Sequence, residues 1–321
     1  YARKFGKSDV GAMLNAYRKY WETEGAQIPF NVIGTAARFT YSFDDRYLAE
    51  VNVGYNGSEQ FAPGQRFGLF PSMSVAWNIH NEDFIKDNAD YINNLKIRAS
   101  YGIVGNDYAS TRFIFKEGKW TTSDSANARF GKNEGVSKGI TTEPVIANPL
   151  ATWEKAHQTN VGFDIAVLKN KFTLSVDRFF EYRTDILMTP NSTPKILGIG
   201  VTDMNIGETA RNGWEFDLGY NDKINKDFAY YVKGNFTKIN NKVIYKDEAE
   251  DMLPWQKTEG RSIGQQYGYV VLGYFKDQAD IESSPAQQVG TVPIPGDFKY
   301  LDYNGDGIVN EDDRVAIGYP K

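Results

Sequence analysis

In the stretch LKIRASYGI, Leu95, Ile97, Ala99, Tyr101 and Ile103 fall on one side of an extended backbone, and Lys96, Arg98, Ser100 and Gly102 on the other. The same two-residue period sets Val161, Phe163, Ile165 and Val167 against Asn160, Gly162 and Asp164. It sets Trp214, Phe216, Leu218 and Tyr220 against Glu215, Asp217 and Gly219, and Phe228, Tyr230, Val232 and Phe236 against Lys233 and Asn235. RFTYSF, YLAEVNVGY and SMSVAWNI repeat it. Successive side chains of a strand point to opposite faces, so the pattern predicts strands with one apolar and one polar face. Roughly eleven are predicted on this period. The segment Lys171 to Leu187 fits less well, because Arg178 falls on its apolar face.

The predicted connections are unequal. FDDR (Phe43–Arg46), LKNK (Leu168–Lys171) and INKD (Ile224–Asp227) read as tight polar turns, whereas Lys119 to Glu154 and Lys246 to Gly264 read as long loops. Short turns at one end and long loops at the other suit an up-and-down barrel of the outer-membrane type. A β-sandwich also alternates, with its apolar face buried in a core. The apolar face here carries aromatic residues at strand ends beside the short turns: Phe43, Tyr47, Phe172, Tyr220 and Phe228. Amphipathic rings at that position suit an interfacial girdle, which favours the barrel.

Composition narrows the classes. With Tyr 20, Phe 20 and Gly 30 among 321 residues, the chain is rich in strand and turn formers. Its mean hydropathy is −0.51. No apolar run of about 18 residues exists to make a transmembrane helix, which leaves a barrel of alternating strands open. The net charge of −5 is spread along the chain, with no basic block for nucleic acid. There is no cysteine, hence no disulfide framework and no thiolate metal site. The chain opens inside a predicted strand with no leader, so an internal piece of a longer protein is expected.

Five stretches carry a resemblance. RYLAEVNVGYNGSEQFAPGQRFGLFPSMSVAWNI (Arg46–Ile79), LKIRASYGIVGND (Leu95–Asp107), the block Asn148–Leu187, NIGETARNGWEFDLGY, and GDFKYLDYNGDGIVNEDDRVAIG stand in the same order as in the SusC/RagA-type TonB-linked outer-membrane proteins of the Bacteroidetes. The chain resembles that family over nearly its whole length. The resemblance implies an all-β fold, part of a large antiparallel transmembrane β-barrel with long extracellular loops, residues 1–321 being one barrel segment. The family's plug domain, its TonB-binding box and the last barrel strands lie outside this sequence. It further implies TonB-dependent import of a large nutrient such as an oligosaccharide or oligopeptide across the outer-membrane lipid of a Gram-negative bacterium. A SusD-like surface lipoprotein would act as lid, and the barrel would do no covalent chemistry. The alternative kept open is an extracellular calcium-dependent β-sandwich binding module.

Candidate chemistry is concentrated in LDYNGDGIVNEDDR (Leu301–Arg314). Calcium takes six to eight oxygens, and a twelve-residue loop supplies them from positions 1, 3, 5, 7, 9 and 12 with glycine at 6. Asp302, Asn304, Asp306, the carbonyl of Ile308, Asn310 and Asp313 occupy those positions, with Gly307 at the bend. Neither flank can be an EF-hand helix. A Ca2+ clasp in an extracellular connection over 302–313 is expected; the competing reading is a polar turn that holds no metal. Enzyme signatures are missing: the two histidines, His80 and His157, stand in different strand contexts, and no nucleophile, zinc or phosphate-loop motif occurs. In APGQRFGLFPS (Ala62–Ser72), Arg66 is expected in a rim loop, paired to an acid or touching substrate or lid. Trp120, Trp153 and Trp255 lie in or beside long loops, where they could stack on sugar rings or staple loops together.

Overall fold

The computed structural model describes residues 1–22, 30–89, 91–109, 112–116, 121–130, 136–142, 145–193, 196 and 200–318. Two compact units divide the chain, Tyr1–Asn240 and Asn241–Lys321. The first is built on one sheet. Its strands are β1 (Ala2–Phe5), β2 (Ser8–Trp21), β3 (Phe30–Phe43), β4 (Tyr47–Ser58), β5 (Phe67–Asn78), β6 (Ile92–Asn106), β7 (Glu154–Val167), β8 (Phe172–Met188), β9 (Met204–Lys223) and β10 (Ala229–Tyr245). They lie side by side in chain order, and the paired neighbours from β1 to β9 are antiparallel. β10 runs past the boundary into the second unit.

Register carries the sequence period across the whole sheet. One cross-strand row reads Tyr41, Ala49, Val75, Ala99, Val161, Arg178 and Trp214, from β3 to β9. The adjacent row reads Thr40, Glu50, Ser74, Ser100, Asn160, Phe179 and Gly213. Rows on one face are therefore apolar and rows on the other polar. The apolar face has no second layer among the described residues: Leu69 is 59% exposed, Met73 55% and Val75 51%. A sandwich would bury those side chains. This sets the sandwich alternative aside.

The two ends differ as expected. Asp44–Arg46, Leu168–Lys171 and residues 224–228 close one end; 59–66, 107–153 and 189–203 connect strands at the other. Asp44 and Asp45 both have positive φ in the three-residue connection between paired Phe43 and Tyr47, where the Arg46 amide donates to the Phe43 carbonyl at 2.9 Å. In the turn after β7, Leu168, Lys169 and Asn170 are all left-handed. The Asn170 amide donates to Asn93 Oδ1, and Asn221 Nδ2 donates to the Asn170 carbonyl, which anchors the strained turn.

The stretch Lys119–Glu154 holds more order than a loop: Thr121–Phe130 and Val136–Thr142 pair as an antiparallel hairpin. Among the described residues the buried hydrophobic cluster of the first unit lies at its long-connection end. There Phe61, Ile114, Ala151 and Trp153 form a cluster joined by Phe70, Ala109 and Leu187. In the second unit, short strand pairs link Tyr267–Gly268 to Val315–Ala316, Val271–Tyr274 to Phe298–Tyr300, and Ala286–Gln287 to Ile308–Val309.

Candidate functional site: the polar face of the sheet

Strand alternation delivers the polar residues of β2 to β9 to one continuous wall. In a barrel of the outer-membrane type the polar face lines the lumen; a cavity of about 710 Å³ is bordered by residues of β1 to β7, including Glu50, Ser74, Arg98, Ser100 and Asn160. A second, of about 610 Å³, shares Ser74, Ser100 and Asn160 and continues to Gln158, Glu181 and Arg211.

Three charged clusters frame this wall, each assembled across neighbouring strands. Arg38 donates to Glu50 at 2.5 Å, and Asn52 Nδ2 donates to the other Glu50 oxygen. Arg98 forks onto Asp177, Nη1 and Nη2 reaching its two oxygens at 2.7 and 2.6 Å, while Nε donates to Asp164 at 3.0 Å. Its guanidinium lies over Gly162, where any Cβ would collide with it. Glu181, 7% exposed, accepts from Gln158, Arg211 and Arg183. Between the clusters the side chains are short: Ser72, Ser74, Ser100 and Gly102. Such a surface presents many hydrogen-bonding groups, with Arg38, Arg98 and Arg211 each already paired to an acid.

The histidines have positions of their own. His157 Nδ1 pairs with the Tyr101 hydroxyl at 2.9 Å on the apolar face, and His80 Nδ1 meets the Leu95 backbone at 3.3 Å. Among the described residues neither is hydrogen-bonded to a serine, threonine or acid.

At the long-connection end, Arg66 does not meet the expected acid among the described residues. Its Nε donates to the Phe61 carbonyl at 3.1 Å. Trp153 is 5% exposed; its Nε1 donates to the Arg66 carbonyl at 2.9 Å and its ring packs on Phe61 and Phe70. Trp153 is thus a staple and is withdrawn from the stacking candidates. Trp120 lies outside the described residues. Trp255 is half-buried, its Nε1 donating to the Asp312 carbonyl at 2.8 Å and its ring 5.3 Å from that of Tyr303.

Trp255 therefore braces the acidic loop. Asp302 accepts from the amides of Gly305 and Gly307 at 2.7 and 2.8 Å, and both glycines have positive φ. Asp306 Oδ1 accepts from Ile308, Asn304 Oδ1 from Asp306, and Asn310 Oδ1 from Asp312. Asp313, 1% exposed, accepts from Tyr303, Asn304 and Asn310. The carbonyls of Gly307 and Val309 are taken by Ala286 and Gln288, so by alternation the Ile308 carbonyl faces the other way. The donor set suits calcium, but the acids close on the loop's own amides. Among the described residues no three acid or histidine side chains converge as a metal cluster. Beside the loop, the Arg314 guanidinium and the Tyr269 hydroxyl hold the Glu311 carboxyl below its ordinary value.

The sequence pointed to tryptophans and the loop acids; it did not single out Arg98, Glu181 or Arg38. Their signal was available, as charged residues on the polar side of the alternation, but their pairing depends on register between strands far apart in sequence.

With the fold described, comparison is direct. Residues 8–311 match the family described as TonB dependent receptor-like, beta-barrel. TonB-dependent receptor P3 of Formosa agariphila is 28% identical over 301 residues, 90% of this chain and 29% of that protein. TonB-dependent receptor SusC of Bacteroides thetaiotaomicron is 25% identical over 297 residues, 88% of this chain and 28% of that protein. The chain thus spans under a third of the curated relatives it matches. Among solved structures, the RagAB peptide importer in its closed-closed state superposes with a TM-score of 0.72 over 99% of this chain and 36% of that one. At 18% identity that likeness is one of fold. Sheet, register and matched family agree: the chain belongs to the TonB-dependent receptor β-barrel family and is an outer-membrane protein.

Proposed function

We propose that this chain is the wall of an outer-membrane importer that takes up a large nutrient, an oligosaccharide or an oligopeptide, with energy delivered through TonB and a SusD-like lipoprotein as lid. The observation that carries the reading is the family match over residues 8–311 combined with a charge-paired polar face. Relatives named SusC and the RagAB peptide importer support import and a partnered assembly. Relatives named as receptors and importers also fit a protein that makes and breaks no covalent bonds. The test is purification of the full-length protein from native outer membranes, with growth of a strain lacking it on defined oligosaccharides and oligopeptides. A co-purifying lipoprotein and a growth defect on one nutrient class are expected. Normal growth on every polymer with no bound lipoprotein would sink the reading.

Loop 302–313 is assigned Ca2+ on the same footing. Support comes from the spacing of Asp302, Asn304, Asp306, Ile308, Asn310 and Asp313 and from the Ile308 carbonyl, which by alternation faces away from the paired Ala286–Gln288 segment. Bound calcium would cross-link the loop and lock the Trp255 brace. Calorimetric titration of the chelator-treated full-length protein tests this; no heat of binding at millimolar calcium would refute it.

A further inference from the structure

Arg178 is the residue that broke the alternation in sequence, and the structure keeps it on the apolar face, between Val161 and Trp214. In a barrel this face meets lipid, where an unmatched charge is destabilising. Its guanidinium carbon lies 4.4 Å from the Phe180 ring centroid and 5.1 Å from that of Trp214. Its Nη2 donates to Asn212 Oδ1 at 3.0 Å. Rings and an amide orient a guanidinium, but none carries a negative charge. Among the described residues Arg178 has no acidic partner, and its Nε and Nη1 have no acceptor. Glu208, further along β9 beyond the Tyr182 row, accepts from the Tyr182 hydroxyl and not from Arg178.

Height along the strand says what could supply the missing charge. From Phe172, beside the short turn, to Tyr182, β8 climbs roughly 25 Å at about 3.3 Å per residue and a tilt of about 40°, which is the height of a barrel's apolar band. Rows through Leu174 and Val176 are apolar on all three strands β7 to β9. Thr159, Phe180 and Asn212 form the next row above Arg178, and His157, Tyr182 and Ala210 the one after. The Arg178 side chain reaches up to Asn212, toward the end that carries the long connections, the outer face in such barrels. By the same rise and tilt the Arg178 backbone stands about 15 Å up this band, and its side chain carries the guanidinium toward the Asn212 row, about 5 Å below the Tyr182 row. A cation raised toward that boundary, with Nε and Nη1 unused, matches a lipid phosphate.

We propose that Arg178, clamped by Phe180 and Trp214 and steadied by Asn212, binds the phosphate of an anionic lipid at the outer boundary of the membrane. The proposal rests on the barrel placement and not on the identity of the nutrient.

The experiment is native mass spectrometry of the full-length receptor in mild detergent, loaded with phosphatidylglycerol, for wild type and Arg178→Met. Methionine suits a lipid-facing position, and heat-modifiable gel migration confirms that the variant is folded. The expected result is one fewer retained phosphatidylglycerol per chain in the variant, with inorganic phosphate at equal concentration failing to displace lipid from wild type. Equal lipid counts in the two proteins would overturn the proposal. Displacement by inorganic phosphate would make this a simple anion site and overturn the lipid assignment. A change in oligomer mass with unchanged lipid count would make Arg178 a protein contact and overturn it as well.

Discussion

Trp77 Nε1 donates to Glu82 Oε1 at 2.9 Å. The Tyr47 hydroxyl donates to the same oxygen at 2.8 Å, and Arg46 Nη1 reaches the other at 2.9 Å. Two girdle rings, stacked with centroids 6.3 Å apart, are thus tied by their polar edges to one carboxylate at the short-turn rim. The hydrogen bonds from Trp77 and then Tyr47, with the Arg46 charge, hold the Glu82 carboxyl below its ordinary value of 4.5. A depressed folded value means that this stabilisation is present above pH 4.5 and lost as pH falls through the lowered value. Trp77 environment, followed by fluorescence in detergent, is expected to change in that acid range and to lose the transition in Glu82→Gln.

Gly105 and Gly68 both press on the Phe70 ring, and a Cβ at Gly105 would overlap it. Phe70 in turn packs edge-on against Trp153, so the strain would pass into the loop cluster. Gly105→Ala is expected to cost about 1–3 kcal/mol by overpacking. A lowered midpoint of heat-modifiable migration checks this, and Phe70→Leu in the same chain should restore part of it.

Arg98 serves two carboxylates with three donors. Arg98→Lys keeps the charge and loses the fork, so it is expected to cost about 1–2 kcal/mol. Denaturant unfolding in detergent reads this out. A stability equal to wild type would show that a point charge suffices there.

Asp313 is a buried carboxylate held by three backbone amides. Asp313→Asn puts an NH2 group where an acceptor is needed, at a cost of about 1–3 kcal/mol. Faster amide exchange at Tyr303, Asn304 and Asn310, measured with chelator present, is the expected sign; protection in β4 to β7 should not change.

Most of the sheet was readable because each strand has its own two-residue period, and the turns at 43–46 and 168–171 fell where predicted. Errors arose where one residue spoke against its neighbours. Pro71 made Ala62–Ser72 read as loop, yet Phe67–Asn78 is β5. Pro71 pairs only with Val53 on β4, and pairing to β6 begins at Ser72, so its missing N–H faces no partner strand. The hairpin of Thr121–Phe130 was missed because TTSDSANARF carries no apolar alternation. The wall clusters were unreadable for a different reason: Arg98 and Asp177 stand 79 positions apart, and only register brings them together.

The matched charges of the polar wall have a kinetic consequence. Arg38, Arg98 and Arg211 already rest on their own acids, so a polar solute gains little by displacing any one of them. It meets instead a run of shallow, interchangeable resting places at Ser72, Ser74 and Ser100. Passage needs adhesion weak enough to release at every step. Under the proposed import function, the pairing of Arg38, Arg98 and Arg211 with neighbouring acids would make this a low-friction surface.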